Sequence, residues 1–86
     1  MFRPIRSISR IIKIAAGTDH NLALDALGRL FSWGSGKFGK LGQGDEFFRA
    51  VPTIVSDLND VIVVEISAGM SHSACIASTG KVYSWG

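Results

Sequence analysis

Residues 11–34, IIKIAAGTDHNLALDALGRLFSWG, lie over residues 63–86, VVEISAGMSHSACIASTGKVYSWG, at an offset of 52 without a gap, and eight of the 24 positions are identical. Most of the others exchange like for like: Ile11 with Val63, Ile12 with Val64, Leu24 with Ile76, Arg29 with Lys81, Leu30 with Val82, Phe31 with Tyr83. A repeat of this length is a supersecondary unit that buries its apolar faces only by stacking on its neighbours, so the chain reads as part of a propeller or an array of small units. Outside the matched block the spacing drifts. Phe2-Arg3-Pro4 echoes Phe48, Arg49 and Pro52, but Pro4 precedes Ile14 by ten residues and Pro52 precedes Ile66 by fourteen. The variable length belongs to a connecting loop.

Within each copy the apolar period is two, the period of a strand. Ile12, Ile14 and Ala16 alternate with Lys13 and Ala15, and Val64, Ile66 and Ala68 with Glu65 and Ser67, so the isoleucine side is the face expected to be buried. Leu22 and Leu24, matched by Ala74 and Ile76, form a second short strand ended by DALG or ASTG. Gly28 and Gly80 close these hairpins, where a left-handed backbone suits glycine. RLFSW and KVYSW supply a third strand, and a fourth is expected around Val51 to Val55, starting after Pro52 at a sheet edge. Four short antiparallel strands make one propeller blade. The expected fold is therefore all-β, a partial β-propeller of about two four-stranded antiparallel blades. Residues 1–27 would end one repeat and its linker, 28–79 form a complete repeat, and 80–86 begin the next.

The run Ala16-Gly17, His20, Gly28, Phe31-Ser32-Trp33-Gly34 and Phe38 to Asp45 is taken up again by Ala68-Gly69, His72, Gly80 and Tyr83-Ser84-Trp85-Gly86. It resembles the repeat of the regulator of chromosome condensation family, whose members form seven-bladed propellers. The signature positions are Gly17, His20, Gly28, Trp33, Gly34, Gly39, Leu41, Gly42, Gly44, Gly69, His72, Gly80, Trp85 and Gly86. Lys40 stands where that family usually has glutamine. Kelch repeats fit less well, since no Gly-Gly pair is present, and each Trp is followed by Gly rather than Asp. The resemblance implies a protein-interaction scaffold. Some such proteins are guanine nucleotide exchange factors for a small GTPase of the Ran type, and others carry the propeller beside a ubiquitin-ligase or other effector domain. Their exchange surface spans several blades and includes a wedge-like insertion, to which no residue here can be matched.

GSGKFGKL, residues 34–41, invites a different reading, an enzyme or nucleotide binder that uses Lys37 or Lys40. It has the spacing G-x-G-x-x-G and also G-x-x-x-x-G-K. Both motifs need context: a helix must open after the loop so that its free amides hold the phosphates. Here GQGDE follows, and five glycines in the thirteen residues from Gly34 to Glu46 cannot start a stable helix. Leu41 also occupies the place of the P-loop hydroxyl, and Ala50 to Leu58 has no lysine for a kinase-type strand. The loop reads as a compact inter-strand connection, and no cofactor is expected.

His20 and His72 recur at the repeat period, as packing residues do, whereas a catalytic constellation is assembled once from different elements. Both are read as structural imidazoles held by neighbouring polar groups, Trp33 and Trp85 as core anchors, and Cys75 as a small buried hydrophobe. A lone cysteine excludes an internal disulfide and favours a reducing, intracellular compartment, cytoplasmic or nuclear. The opening stretch has Arg3, Arg6, Arg10 and Lys13 before the first acid, Asp19, which resembles a mitochondrial transit segment, but its isoleucines suit strands better. A net charge of +2 is too small to point to nucleic acid, and the longest apolar run, Val61 to Val64, falls far short of the 18 or so residues that span a bilayer. A chain of 86 residues that holds about two blades reads as a fragment of a larger propeller. Its partners would then be the remaining blades or further copies of itself.

Overall fold

The computed structural model describes residues 10–86. The Phe2-Arg3-Pro4 echo and most of the Arg-rich opening lie outside the described residues. Four strands, β1 (Ile11–Ala16), β2 (His20–Asp25), β3 (Leu30–Gly34) and β4 (Arg49–Ile54), form an antiparallel sheet in that order. A second sheet holds β5 (Val63–Ala68), β6 (Ser73–Ala77) and β7 (Val82–Trp85). Short 3₁₀ turns at Lys37–Gly39 and Ser56–Leu58 interrupt the connections. The described chain is thus all-β, two meanders stacked as neighbouring blades of a propeller. The second carries three strands.

The repeat is visible bond by bond. At the offset of 52, Gly17 N–H to His20 O and Gly69 N–H to His72 O are the same hydrogen bond, and so are Ala26 to Arg10 and Ser78 to Ile62. A bulge falls between Ile11 and Lys13 in β1 and again between Val63 and Glu65 in β5. In the first hairpin Gly28 has φ 84°, and its N–H closes the turn on Asp25 O at 3.0 Å. A side chain in that conformation is strained, which is why glycine ends both hairpins. Asp25, fully buried, caps this turn by accepting the N–H groups of Leu27 and Arg29 and pairing with the Arg29 guanidinium at 2.8 Å. Burial pushes its carboxyl up, but the Arg29 and Leu27 donors outweigh that and hold it below the usual carboxylate range.

The core lies between the sheets. Leu22, Leu24 and Leu30 of the first sheet meet Val63 and Cys75 of the second, and Val55 closes one end. Partly buried Ile66, Ala68, Tyr83 and Trp85 pack against them. Full burial of a leucine side chain contributes about 1.5–3 kcal/mol, so these leucines dominate the contact. The expectation for β1 needs correction. Beyond the bulge Lys13 pairs with Leu24 and Ala15 with Leu22, which puts the lysine side toward the second sheet and leaves Ile14 on the opposite face, 67% exposed. In β5 the corresponding Ile66 faces the core. Alternation fixes that a strand has two faces, but burial depends on whether a sheet lies over each. The fourth strand also begins earlier than expected, at Arg49 rather than after Pro52. It is an edge strand, and a register shift opposite Ser32 to Gly34 passes over Pro52 without requiring an N–H from it.

Candidate interaction site and the clamp behind it

The loop after β3 is held from both sides. Ser32, at the middle of β3, donates its hydroxyl to Leu41 O at 2.7 Å, and the Gln43 amide donates to Ser32 Oγ and Thr53 O, both at 3.1 Å. From the second sheet Ser73 Oγ–H donates to Lys40 O at 2.6 Å and the Trp85 indole N–H reaches the same oxygen at 3.0 Å. Two adjacent carbonyls are thus gripped by different blades. Gly42 leaves room for this: a Cβ there would lie 2.9 Å from Trp85 Nε1, and φ is +67°. The Lys40 side chain is buried and ion-paired with Asp19, whose carboxyl that bond holds below its usual range.

His20 is 1% exposed and its Nε2 lies 2.9 Å from Ser73 Oγ. Since Lys40 O can only accept, the single Ser73 proton is committed to it, and His20 must donate through Nε2–H. The ring is therefore the neutral Nε2 tautomer, with the Nδ1 lone pair buried and unpartnered. Burial pushes its pKa down and the Lys40 ammonium adds to that, while the His72 carbonyl and Asp19 pull the other way. Gly17 lies flat against this ring, as Gly69 does against His72. The histidines then part company: His72 is exposed. What buries His20 is the second sheet, and no described sheet covers His72 in the same way.

The other signature positions are spread along the same framework. Gly34 ends β3 opposite His20, Gly39 closes the first 3₁₀ turn, Leu41 is 1% exposed, and Gly44 lies in the loop beyond. Gly80 closes the second hairpin with φ 91°, Gly86 follows β7, and Trp33 is half-buried on β3. No phosphate cradle forms. The amides of Gly39, Lys40 and Gly42 are bonded to Gly36, Lys37 and Gly39 carbonyls, and the Lys40 ammonium is committed to Asp19. Among the described residues no three His, Cys, Asp or Glu side chains gather as a metal site requires.

The side of the loop away from the clamp is different in kind. Phe38 sits at φ 63°, ψ 14°, the only described non-glycine residue with positive φ, and is 66% exposed. Its N–H is held by Glu46 Oε1 at 3.0 Å, and Gly36 lies against the Phe47 carbonyl. Phe47 and Phe48 follow, each 70% exposed. Phe38, Gly39, Gly44, Asp45 and Glu46 border a hollow of about 380 Å³. Asp45 accepts the Phe47 N–H at 3.0 Å and pairs with Arg49 at 2.9 Å, which hold its carboxyl below the usual range. The sequence alone assigns no such contacts to Ser73 and Asp19 and no exposure to the Phe47-Phe48 pair. Ser73 is hidden because its partner in the repeat is Asn21.

Comparison with known proteins decides the lineage. The regulator of chromosome condensation (RCC1) repeat matches residues 28–76, and a second RCC1 repeat model matches residues 11–40. The chain belongs to the RCC1 repeat family. Human RCC1 domain-containing protein 1 is 38% identical over 85 residues, which cover 99% of this chain and 23% of that protein. Ras guanine nucleotide exchange factor C of Dictyostelium discoideum is 41% identical over 73 residues, 85% of this chain and 5% of that one. Human WBSCR16 superposes with a TM-score of 0.87 at 28% identity over 91% of this chain and 20% of its own. Prp20p from Saccharomyces cerevisiae, described by its binding to Gsp1p and histones, gives 0.72 at 33% over 88% and 19%. This RCC1-repeat chain therefore spans less than a quarter of each.

Proposed function

We propose that this RCC1-repeat chain contributes a protein-docking surface to a propeller scaffold, and that the lobe bearing Phe38, Phe47 and Phe48 meets the partner. Phe38 carries the reading. It is a large apolar side chain held outward by left-handed backbone, on a loop whose other side is locked by two blades. Strain of this kind persists only where the surroundings over-determine it, and it concentrates at binding sites. Exposed aromatics rimmed by charge, here Lys37, Asp45, Glu46 and Arg49, are typical of the anchors that dominate protein interfaces. The partner class is a protein, met inside the cell.

A small GTPase of the Ran type is the partner to test first, because the similarity extends both to a protein known by its Gsp1p binding and to a Ras exchange factor. The measurement is calorimetric titration of the chain with small GTPases in nucleotide-free and nucleotide-bound states, paired with release of labelled GDP. If Phe38 and Phe47 are anchors, Phe38→Ser and Phe47→Ser each weaken binding about 30-fold, the loss of about 2 kcal/mol that marks a hot spot. No binding to any GTPase overturns that partner. Binding that survives both substitutions overturns the surface.

A further inference from the structure

The two hairpins share one backbone and differ in one side chain. Gly28 N–H donates to Asp25 O at 3.0 Å and Gly80 N–H to Ala77 O at 2.9 Å, while Asp25 N–H donates to Arg29 O at 3.1 Å and Ala77 N–H to Lys81 O at 2.8 Å. In the first hairpin the Asp25 carboxylate fills the bend. Its Oδ1 accepts the N–H groups of Leu27 and Arg29, at 3.0 and 2.8 Å, and its Oδ2 pairs with the Arg29 guanidinium at 2.8 Å. In the second hairpin the offset of 52 puts Ala77 at the place of that carboxylate, while Lys81 keeps the cation of Arg29. Among the described residues, Thr79 N–H and Lys81 N–H have no hydrogen-bond partner and the Lys81 ammonium has no ion pair. A hollow of about 320 Å³ opens there, bordered by Ala77, Thr79, Lys81, Val61, Ile62 and Tyr83.

We infer that the second hairpin binds a carboxylate supplied from outside the repeat, seated as Asp25 is seated in the first. One oxygen accepts the Thr79 and Lys81 N–H groups and the other meets the Lys81 ammonium. Convergent backbone donors beside a cation suit an anion. The hollow is larger than a carboxylate, and Val61, Ile62 and Tyr83 border the rest of it, so the ligand carries an apolar stem next to its acid group. Asp60 also borders the hollow, and its charge disfavours a phosphate dianion more than a single carboxylate. A sheet stacked beyond this hairpin leaves the site reachable. In the first repeat the second sheet meets the hairpin at glycine, where Val63 N–H donates to Gly28 O at 2.9 Å, and Leu27, the counterpart of Thr79, stays 64% exposed. The site lies at the opposite end of the strands from the Phe38 lobe. Its carboxylate has two sources, an acidic side chain of a protein partner and a free small acid.

Amide NMR of the isotope-labelled 86-residue chain tests this at constant ionic strength. The probes are acetyl-leucyl-glutamate amide, the same peptide with glutamine in place of glutamate, and sodium acetate. The Thr79 and Lys81 amide protons move downfield to saturation with the glutamate peptide and stay in place with the glutamine peptide. Those of Leu27 and Arg29 stay in place throughout, because Asp25 already holds them. A glutamate peptide that saturates the site well below the acetate concentration needed assigns a peptide source, and acetate binding as tightly assigns a free acid. Lys81→Gln, at an exposed position, weakens the response about three- to fivefold. Ala77→Asp supplies the acid internally, so the same two amides move downfield without ligand and the response to the probes is lost; Lys81→Gln carries the test if that buried change disturbs the hairpin. Thr79 and Lys81 amides unmoved by either carboxylate overturn the inference. So does an equal response to the glutamine peptide, or a Lys81→Gln chain that binds as the wild type does.

Discussion

Changing Ser73 to alanine removes a single buried oxygen with two jobs. The hydroxyl donates to Lys40 O at 2.6 Å and accepts from His20 Nε2 at 2.9 Å. Lys40 O loses little, because the Trp85 indole still donates to it at 3.0 Å. His20 loses everything: Nε2–H is left without an acceptor in a ring whose Nδ1 already has no partner. An orphaned buried donor costs about 1–3 kcal/mol, and a chain of this size holds only about 4–13 kcal/mol in all. Urea unfolding followed by fluorescence should show a lower midpoint with an unchanged slope, while Ser84→Ala, at an exposed position, stays within about 0.5 kcal/mol of wild type. The double variant His20→Ala with Ser73→Ala isolates the pair. Its cost should fall short of the sum of the single costs by at least about 0.5 kcal/mol. An unchanged Ser73→Ala midpoint, or additivity within about 0.3 kcal/mol, would refute the clamp.

Stability should depend on pH through the same ring. Folded His20 titrates below its ordinary 6.5, so the unfolded chain takes the proton first; its contribution is whole above about pH 6.5 and is lost as pH falls toward the folded value. His20→Gln should flatten that part of the profile in urea midpoints measured across pH, and a slope left unchanged would assign it to other groups. His20→Ala should cost about 1–3 kcal/mol and His72→Ala less than about 0.5 kcal/mol, an asymmetry that equal losses in thermal melts would contradict. Gly42→Ala, with its Cβ at 2.9 Å from the Trp85 indole and φ at +67°, should destabilise by about 1–3 kcal/mol, checked by the same melts.

Most of the strand order was legible in the sequence because it rests on signals that survive without neighbours: period-two alternation, hairpin glycines, and the match of 11–34 to 63–86. That no α-helix opens at GSGKFGKL was legible too, since too many glycines follow it. Burial was less so. Ile14 and Ile66 are the same residue in the same place, yet only Ile66 has a sheet over it, and no local pattern records what stacks where. The same reason separates His20 from His72. The clamp was invisible for another reason: Ser73 and Trp85 recognise a main-chain oxygen at Lys40, and a carbonyl leaves no letter in the sequence. Phe38 in left-handed backbone is set by the fit of Gly36 and Glu46 around it.

The Trp85 bond to Lys40 O has an optical consequence. Its indole belongs to one blade and the oxygen to the loop of the other, so parting the blades releases that N–H to water even while each meander keeps its own ladder. Emission from Trp85 would then shift to the red before the strand signal in circular dichroism decays. In a Trp33→Phe background the remaining indole becomes a gauge of blade separation alone, and a protein partner that wedges the blades apart would declare itself by colour.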